Sequence, residues 1–151
     1  MDNITDEKQK IINGIMLINC GEDEETIVNI FKETDTEILK YITSITVHDQ
    51  EYIPMEISGG TNSWGTTTSW SNHRRLKESK IDIVASKFRI EYPENTFEHT
   101  LKHEIGHVKG RMISPEIGDS EKFANNYAAD PKNCNLSLLD KLNIKIWNVL
   151  L

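Results

Sequence analysis

The sequence predicts an α+β domain. Three observations carry that reading: short β-branched runs in the middle of the chain, helix-periodic segments on either side, and a length of 151 residues that suits one core. The expected order is helices, then strands, then helices, within one unit. A helical N-terminal extension covers 1–42, the core covers 43–129, and a C-terminal helix lies in 130–151.

In TDEKQKIINGIMLIN, residues 5–19, the apolar positions Ile11, Ile12, Ile15, Met16 and Ile18 recur at three- and four-residue spacings. That pattern predicts an amphipathic helix ending before Gly21. Acids open DEETIVNIFK, residues 23–32, where they favour the positive end of a helix dipole, and Ile27, Val28, Ile30 and Phe31 supply an apolar face. Residues 36–42 read as a third helical piece. Residues 44–48, 54–58 and 81–86 are short, β-branched and partly alternating, the texture of strands. Between them lies GGTNSWGTTTSWSNHRR, residues 59–75, whose glycines and hydroxyls predict a long loop or a hairpin. Its two tryptophans favour a functional segment over a disordered one. From Pro93 the pattern turns helical, with Asn95 as an N-cap, Glu98 three residues later, and Gly110 as a stop. Further helices are expected over 120–129, closed by Asp130-Pro131, and over 136–150.

A net charge of −7 argues against a phosphate-binding surface, so no nucleic-acid partner is expected. The one basic patch, His73-Arg74-Arg75, reads as a solvated loop or a contact for an acidic group. No apolar run approaches the length of a membrane span, and the acidic start MDNITDEKQK lacks the features of a secretory signal. A cytoplasmic protein is therefore expected. Cys20 and Cys134 lie far apart and are expected as buried or idle thiols rather than a disulfide.

The stretch HEIGHVKG, residues 103–110, carries the chemistry. On a helix, Phe97, Leu101, Ile105 and Val108 gather on one side, while His103 and His107 fall about 200° and 240° from Leu101. Glu104 sits on the flank between. The spacing puts two imidazoles one turn apart, where both reach one ion. An open site needs a third protein ligand and a place for water, whose pKa a metal lowers to about 7. Glu104, next to the first histidine but turned off its axis, suits the general base. His99, on the same broad side, is expected as a solvated helix residue, and His48 and His73 as surface residues, with His73 a weak candidate for substrate contact.

Glu116, Asp119 and Glu121 compete for the third ligand. Glu116 follows Pro115 in a turn, and Asp119 resembles a helix cap. Glu121 opens EKFANNYA, where Phe123, Ala124, Tyr127 and Ala128 bury one face and Glu121 shares another with Asn125. Small Ala124 and Ala128 would let this helix approach the first closely. Glu121 is therefore favoured, with Asn125 as the partner that orients a ligating histidine. Two imidazoles and a carboxylate suit zinc, although iron, cobalt or nickel fit the same ligands.

HEIGH followed by E-x-x-A-N-x-Y-A resembles the gluzincin metallopeptidases, most of all the small single-domain minigluzincins. ANNYA is also similar to the peptidase domain that cleaves repressors in phage and stress regulation. The likeness spans about residues 81–129 in pattern and the two helices in motif. It implies a zincin-like domain, with a twisted, mainly antiparallel sheet above an active-site helix and a glutamate helix, and extra terminal helices. It implies His103, His107 and Glu121 as zinc ligands and Glu104 as base. It also implies an edge strand, in 81–86 or near 87–90, that pairs with an extended peptide. Such sites often stabilise the oxyanion with a tyrosine or histidine, for which Tyr127 or His73 are the candidates. The N-terminal helices either cap the sheet or cover the cleft and keep an enzyme latent. The expected activity is that of a zinc-dependent endopeptidase acting on peptide or protein substrates. The alternative is a catalytically silent or latent module of the same fold that binds a protein partner.

Overall fold

The computed structural model describes residues 8–60, 63–88 and 96–129. The expected C-terminal helix, Cys134 and the Asn95 cap lie outside the described residues. The class is α+β, with five strands and six α-helices among the described residues.

The N-terminal segment corrects the helical expectation. The described residues of that stretch, 8–19, do not form a helix. Strands β1 (Gln9–Ile12) and β2 (Ile15–Ile18) form an antiparallel hairpin that pairs Ile12 with Ile15. Asn13 and Gly14 make its two-residue turn, both with positive φ, at 54° and 78°. An Asn-Gly pair favours that conformation, and its twist matches the flanking strands. The isoleucine spacings fit either period, and the turn dipeptide decides between them.

Helix α1 (Glu24–Glu33) follows a short 3₁₀ turn and buries Ile27, Ile30 and Phe31. The next helix, α2 (Thr36–Leu39), is shorter than expected, because Ile42 already opens strand β3 (Ile42–His48). Residues 54–58 are not a strand. Pro54 precedes the single turn of α3 (Met55–Ser58), which Gly59 closes at a φ of 79°. Within the loop-or-hairpin stretch, residues 65–75 take the hairpin alternative: β4 (Gly65–Asn72) turns through His73 and Arg74 into β5 (Arg75–Val84).

The strand order is β1-β2-β3-β5-β4. The outer pairs, β1 with β2 and β4 with β5, are antiparallel, while β2–β3 and β3–β5 are parallel. The sheet is therefore mixed rather than mainly antiparallel. Two parallel pairs arise because β2 and β3 are joined through helices, and β5 slots in between β3 and β4. Residues 81–86 are not an edge. They belong largely to the interior strand β5, and among the described residues the edges are β1 and β4. The 3₁₀ turn Ser86–Phe88 occupies the start of 87–90.

One sheet face packs against helix α4 (Phe97–Ile113) and α1. Ile15, Leu17, Ile45, Ile81 and Ile83 meet Phe97, Leu101, Ile105 and Val108 in one core, where all but Phe97 are fully buried. Thr96 caps α4 by accepting a hydrogen bond from the His99 backbone N–H. The helix does not stop at Gly110. It runs one further turn to Ile113, then Ser114 caps the short α5 (Pro115–Gly118), and α6 (Glu121–Ala129) follows. Residues 9–18 supply two strands, and Ile15, Leu17, Ile27, Ile30 and Phe31 supply core, so the described residues 8–42 belong to the same core and are not all helical. Among the described residues, no helix is long and apolar enough to cross a membrane.

Candidate metal centre

Helices α4 and α6 lie close enough to share side chains across their interface because both present small residues there. A Cβ added at Gly106 would lie 3.0 Å from the Ala124 Cα and 3.0 Å from the Tyr127 Cβ. Ala124 is fully buried and Ala128 nearly so, as the small-residue face of EKFANNYA implied.

Across this contact His103, His107 and Glu121 converge. Their donor atoms all lie within 4.8 Å of one another. The two Nε2 atoms are 3.1 Å apart, and the Glu121 carboxylate lies 2.9 Å from His103 Nε2 and 3.3 Å from His107 Nε2. Glu116 and Asp119, the other acids weighed as third ligand, are turned elsewhere. Glu116 pairs with Arg74, which holds its carboxyl below the usual range, and Asp119 pairs with Arg111.

The far side of each imidazole is also fixed. His103 Nδ1 donates to Asn125 Oδ1 at 2.7 Å, the partnership expected from the i, i+4 relation of Glu121 and Asn125. His107 Nδ1 donates to the Gly118 carbonyl, also at 2.7 Å. Both acceptors are oxygens without protons, so both Nδ1 atoms carry the hydrogen in the neutral rings. Each Nε2 then turns a lone pair inward, beside a carboxylate that is itself only an acceptor. Three acceptors facing one point can hold a cation. Ligands on a tetrahedral zinc at about 2.05 Å stand about 3.3 Å apart. The separations found here, 2.9 to 3.3 Å, fit that group.

Glu104 lies beside this cluster and outside it. Its side chain is 7% exposed, with Oε2 4.0 Å from His103 Nε2. Oε1 accepts a hydrogen bond of 2.7 Å from the Thr67 hydroxyl on β4. Burial pushes its carboxyl above the ordinary range, opposed by the Thr67 hydrogen bond and by the two histidines. A buried carboxylate pinned by one oxygen, with its other oxygen toward the histidines, suits a proton acceptor.

The cluster opens into a cleft of about 470 Å³, within the usual range for small-molecule and peptide sites. Helix α4 lines it with His99, Thr100 and Arg111, and β4 lines it with Thr66, Thr67 and Ser69. No described residue of 8–42 lines the cleft.

Several expectations change here. His99 is half-buried and faces the cleft rather than being solvated. His48 is not an isolated surface residue, since its Nε2 donates to Asp82 Oδ1 at 2.8 Å between neighbouring strands. Neither oxyanion candidate lines the cleft: Tyr127 is buried in the core, and His73 sits exposed at the β4–β5 turn. The basic patch does contact an acid, through Arg74 and Glu116. Cys20 is a free buried thiol whose pKa burial pushes up to about 12, so it stays protonated and unreactive. Sequence reasoning missed the Gly118 carbonyl and Thr67, because a backbone acceptor and a lone hydroxyl carry no spacing signal.

No protein-family model, curated protein or solved structure matches the chain.

Proposed function

We propose that the chain is a zinc-dependent endopeptidase of gluzincin type. The observation that carries this reading is the convergence of His103 Nε2, His107 Nε2 and the Glu121 carboxylate beside the buried carboxylate of Glu104. His103, His107 and Glu121 would hold the metal. When bound, zinc supplies a Lewis acid that makes water nucleophilic at neutral pH.

The chain's own groups divide the remaining work. Asn125 and the Gly118 carbonyl hold the two rings so that Nε2 points inward. Glu104 Oε2 takes the proton from the attacking water and passes it to the nitrogen of the leaving amine. Thr67 holds Oε1 and keeps that carboxylate aimed. An extended peptide would pair along β4, which lines the cleft and is an edge of the sheet among the described residues. A binding module has no use for a buried base next to its metal ligands, and Glu104 therefore favours catalysis over partner binding. Zinc is preferred to iron, cobalt or nickel because two imidazoles and one carboxylate suit an open tetrahedral site.

The test is metal content by mass spectrometry on protein exposed to zinc, beside digestion of an unfolded protein mixture read by peptide sequencing. One zinc per chain, with cleavage that Glu104→Gln abolishes while zinc stays, is the expected result. Zinc retained without cleavage in the wild type favours the binding module, and no zinc uptake removes both readings.

A further inference from the structure

We propose that Arg74, at the turn of the β4–β5 hairpin, is a positioning residue for His107 and so for the metal centre. The inference rests on the zinc reading above. His107 takes its orientation from the Gly118 carbonyl, and Gly118 is the last residue of α5. That helix has four residues, and Gly118 is its one buried residue. A segment with no large buried side chain is not anchored by its own core. Its placement comes from its neighbours.

Three neighbours set it. Gly110 of α4 offers bare backbone, and a Cβ there would lie 2.7 Å from the Ile117 carbonyl oxygen. Arg111 pairs with Asp119, just past the end of α5, and Arg74 pairs with Glu116 within it. The two ion pairs are not equivalent. Arg111 stands on the same helix as His107 and carries no information from outside it. Arg74 comes from 42 positions before Glu116, on the hairpin whose first strand forms the cleft wall. Through Arg74 and Glu116, that wall is tied to the carbonyl that holds a metal ligand. A peptide that pairs with β4 loads the same hairpin. The pair therefore links occupancy of the wall to the aim of His107 Nε2.

The experiment measures zinc affinity by competition with a chromophoric chelator for the wild type, Arg74→Ala, Glu116→Gln, the double variant and the charge-exchanged pair Arg74→Glu with Glu116→Arg. Cobalt(II) absorption spectra of the same set report ligand geometry without any activity assay. Each single variant is expected to weaken zinc binding by roughly threefold to tenfold, less than the direct partner of a ligating histidine carries. The double variant should lose no more than either single variant and show the same shift of the cobalt bands, and the exchanged pair should recover part of both. Wild-type affinity and spectrum in both single variants overturns the proposal while leaving the metal centre intact. Losses that add in the double variant also overturn it, since the two residues then act separately. A wild type that takes up no metal overturns the zinc reading and this inference together.

Discussion

Two histidine–carboxylate groupings in this chain look alike in composition and differ in what they can do. His48 and Asp82 sit on neighbouring strands β3 and β5, with a 2.8 Å hydrogen bond and both side chains 16% exposed. His103, His107 and Glu121 sit on two helices. In the first grouping one donor meets one acceptor, and the pair is complete. In the second, the ring protons are spent outside the cluster, on Asn125 and the Gly118 carbonyl. What remains inside is a set of acceptors with no donor. The lesson is that proximity of histidine and carboxylate does not make a metal site. The direction of the second ring nitrogen decides whether such a grouping can hold one.

That contrast can be broken or sharpened by substitution. The largest effect belongs to the group that is neither ligand nor structural pair. Glu104→Gln should keep zinc and lower any peptide hydrolysis by roughly 10²- to 10⁴-fold, measured on equal amounts of zinc-loaded protein. Loss of zinc in this variant would make Glu104 a ligand instead. Next, Glu121→Ala should weaken zinc binding by about a hundredfold or more in chelator competition, because an open site is left with two protein donors. If Glu121→Ala binds as tightly as the wild type, the third donor comes from another residue. Asn125→Ala should cost roughly tenfold in zinc affinity, the effect of freeing the His103 ring. An unchanged constant there would sink the idea that ring orientation separates the two groupings.

The strand pair makes the control. His48→Asn should lower folding stability by about 1 kcal/mol in urea titration, the net worth of one half-buried hydrogen bond. Its zinc affinity should match the wild type. The smallest effect is one of pH. Burial holds the Glu104 carboxyl above its ordinary value of 4.5, so the folded metal-free chain keeps a proton there that the unfolded chain releases. Stability therefore declines as pH rises from about 4.5 toward the raised folded-state value, and it stays lower above that. Metal-free wild type and Glu104→Gln should melt together near about pH 4, with the variant melting higher at neutral pH. Parallel melting curves across the whole range would show that this carboxyl is not shifted.

Local periodicity determined a good part of this protein from sequence alone. It placed Phe97, Leu101, Ile105 and Val108 in the core and turned His103 and His107 the other way, because a helix fixes side-chain direction every residue. The same rule set Glu121 and Asn125 on one face of the next helix, and it marked Ala124 and Ala128 as the place for close approach. Tertiary structure decided what periodicity leaves open. Residues 9–18 fit a helical spacing and a strand spacing equally well, and pairing with β3 together with the Asn13-Gly14 turn selected the strands. Which strand is an edge depends on the whole sheet order, so β4 rather than 81–86 took that role. The Gly118 carbonyl on His107, Thr67 on Glu104 and Arg74 on Glu116 join positions 11, 37 and 42 residues apart. Contacts of that kind arise from how elements pack, and no local spacing encodes them.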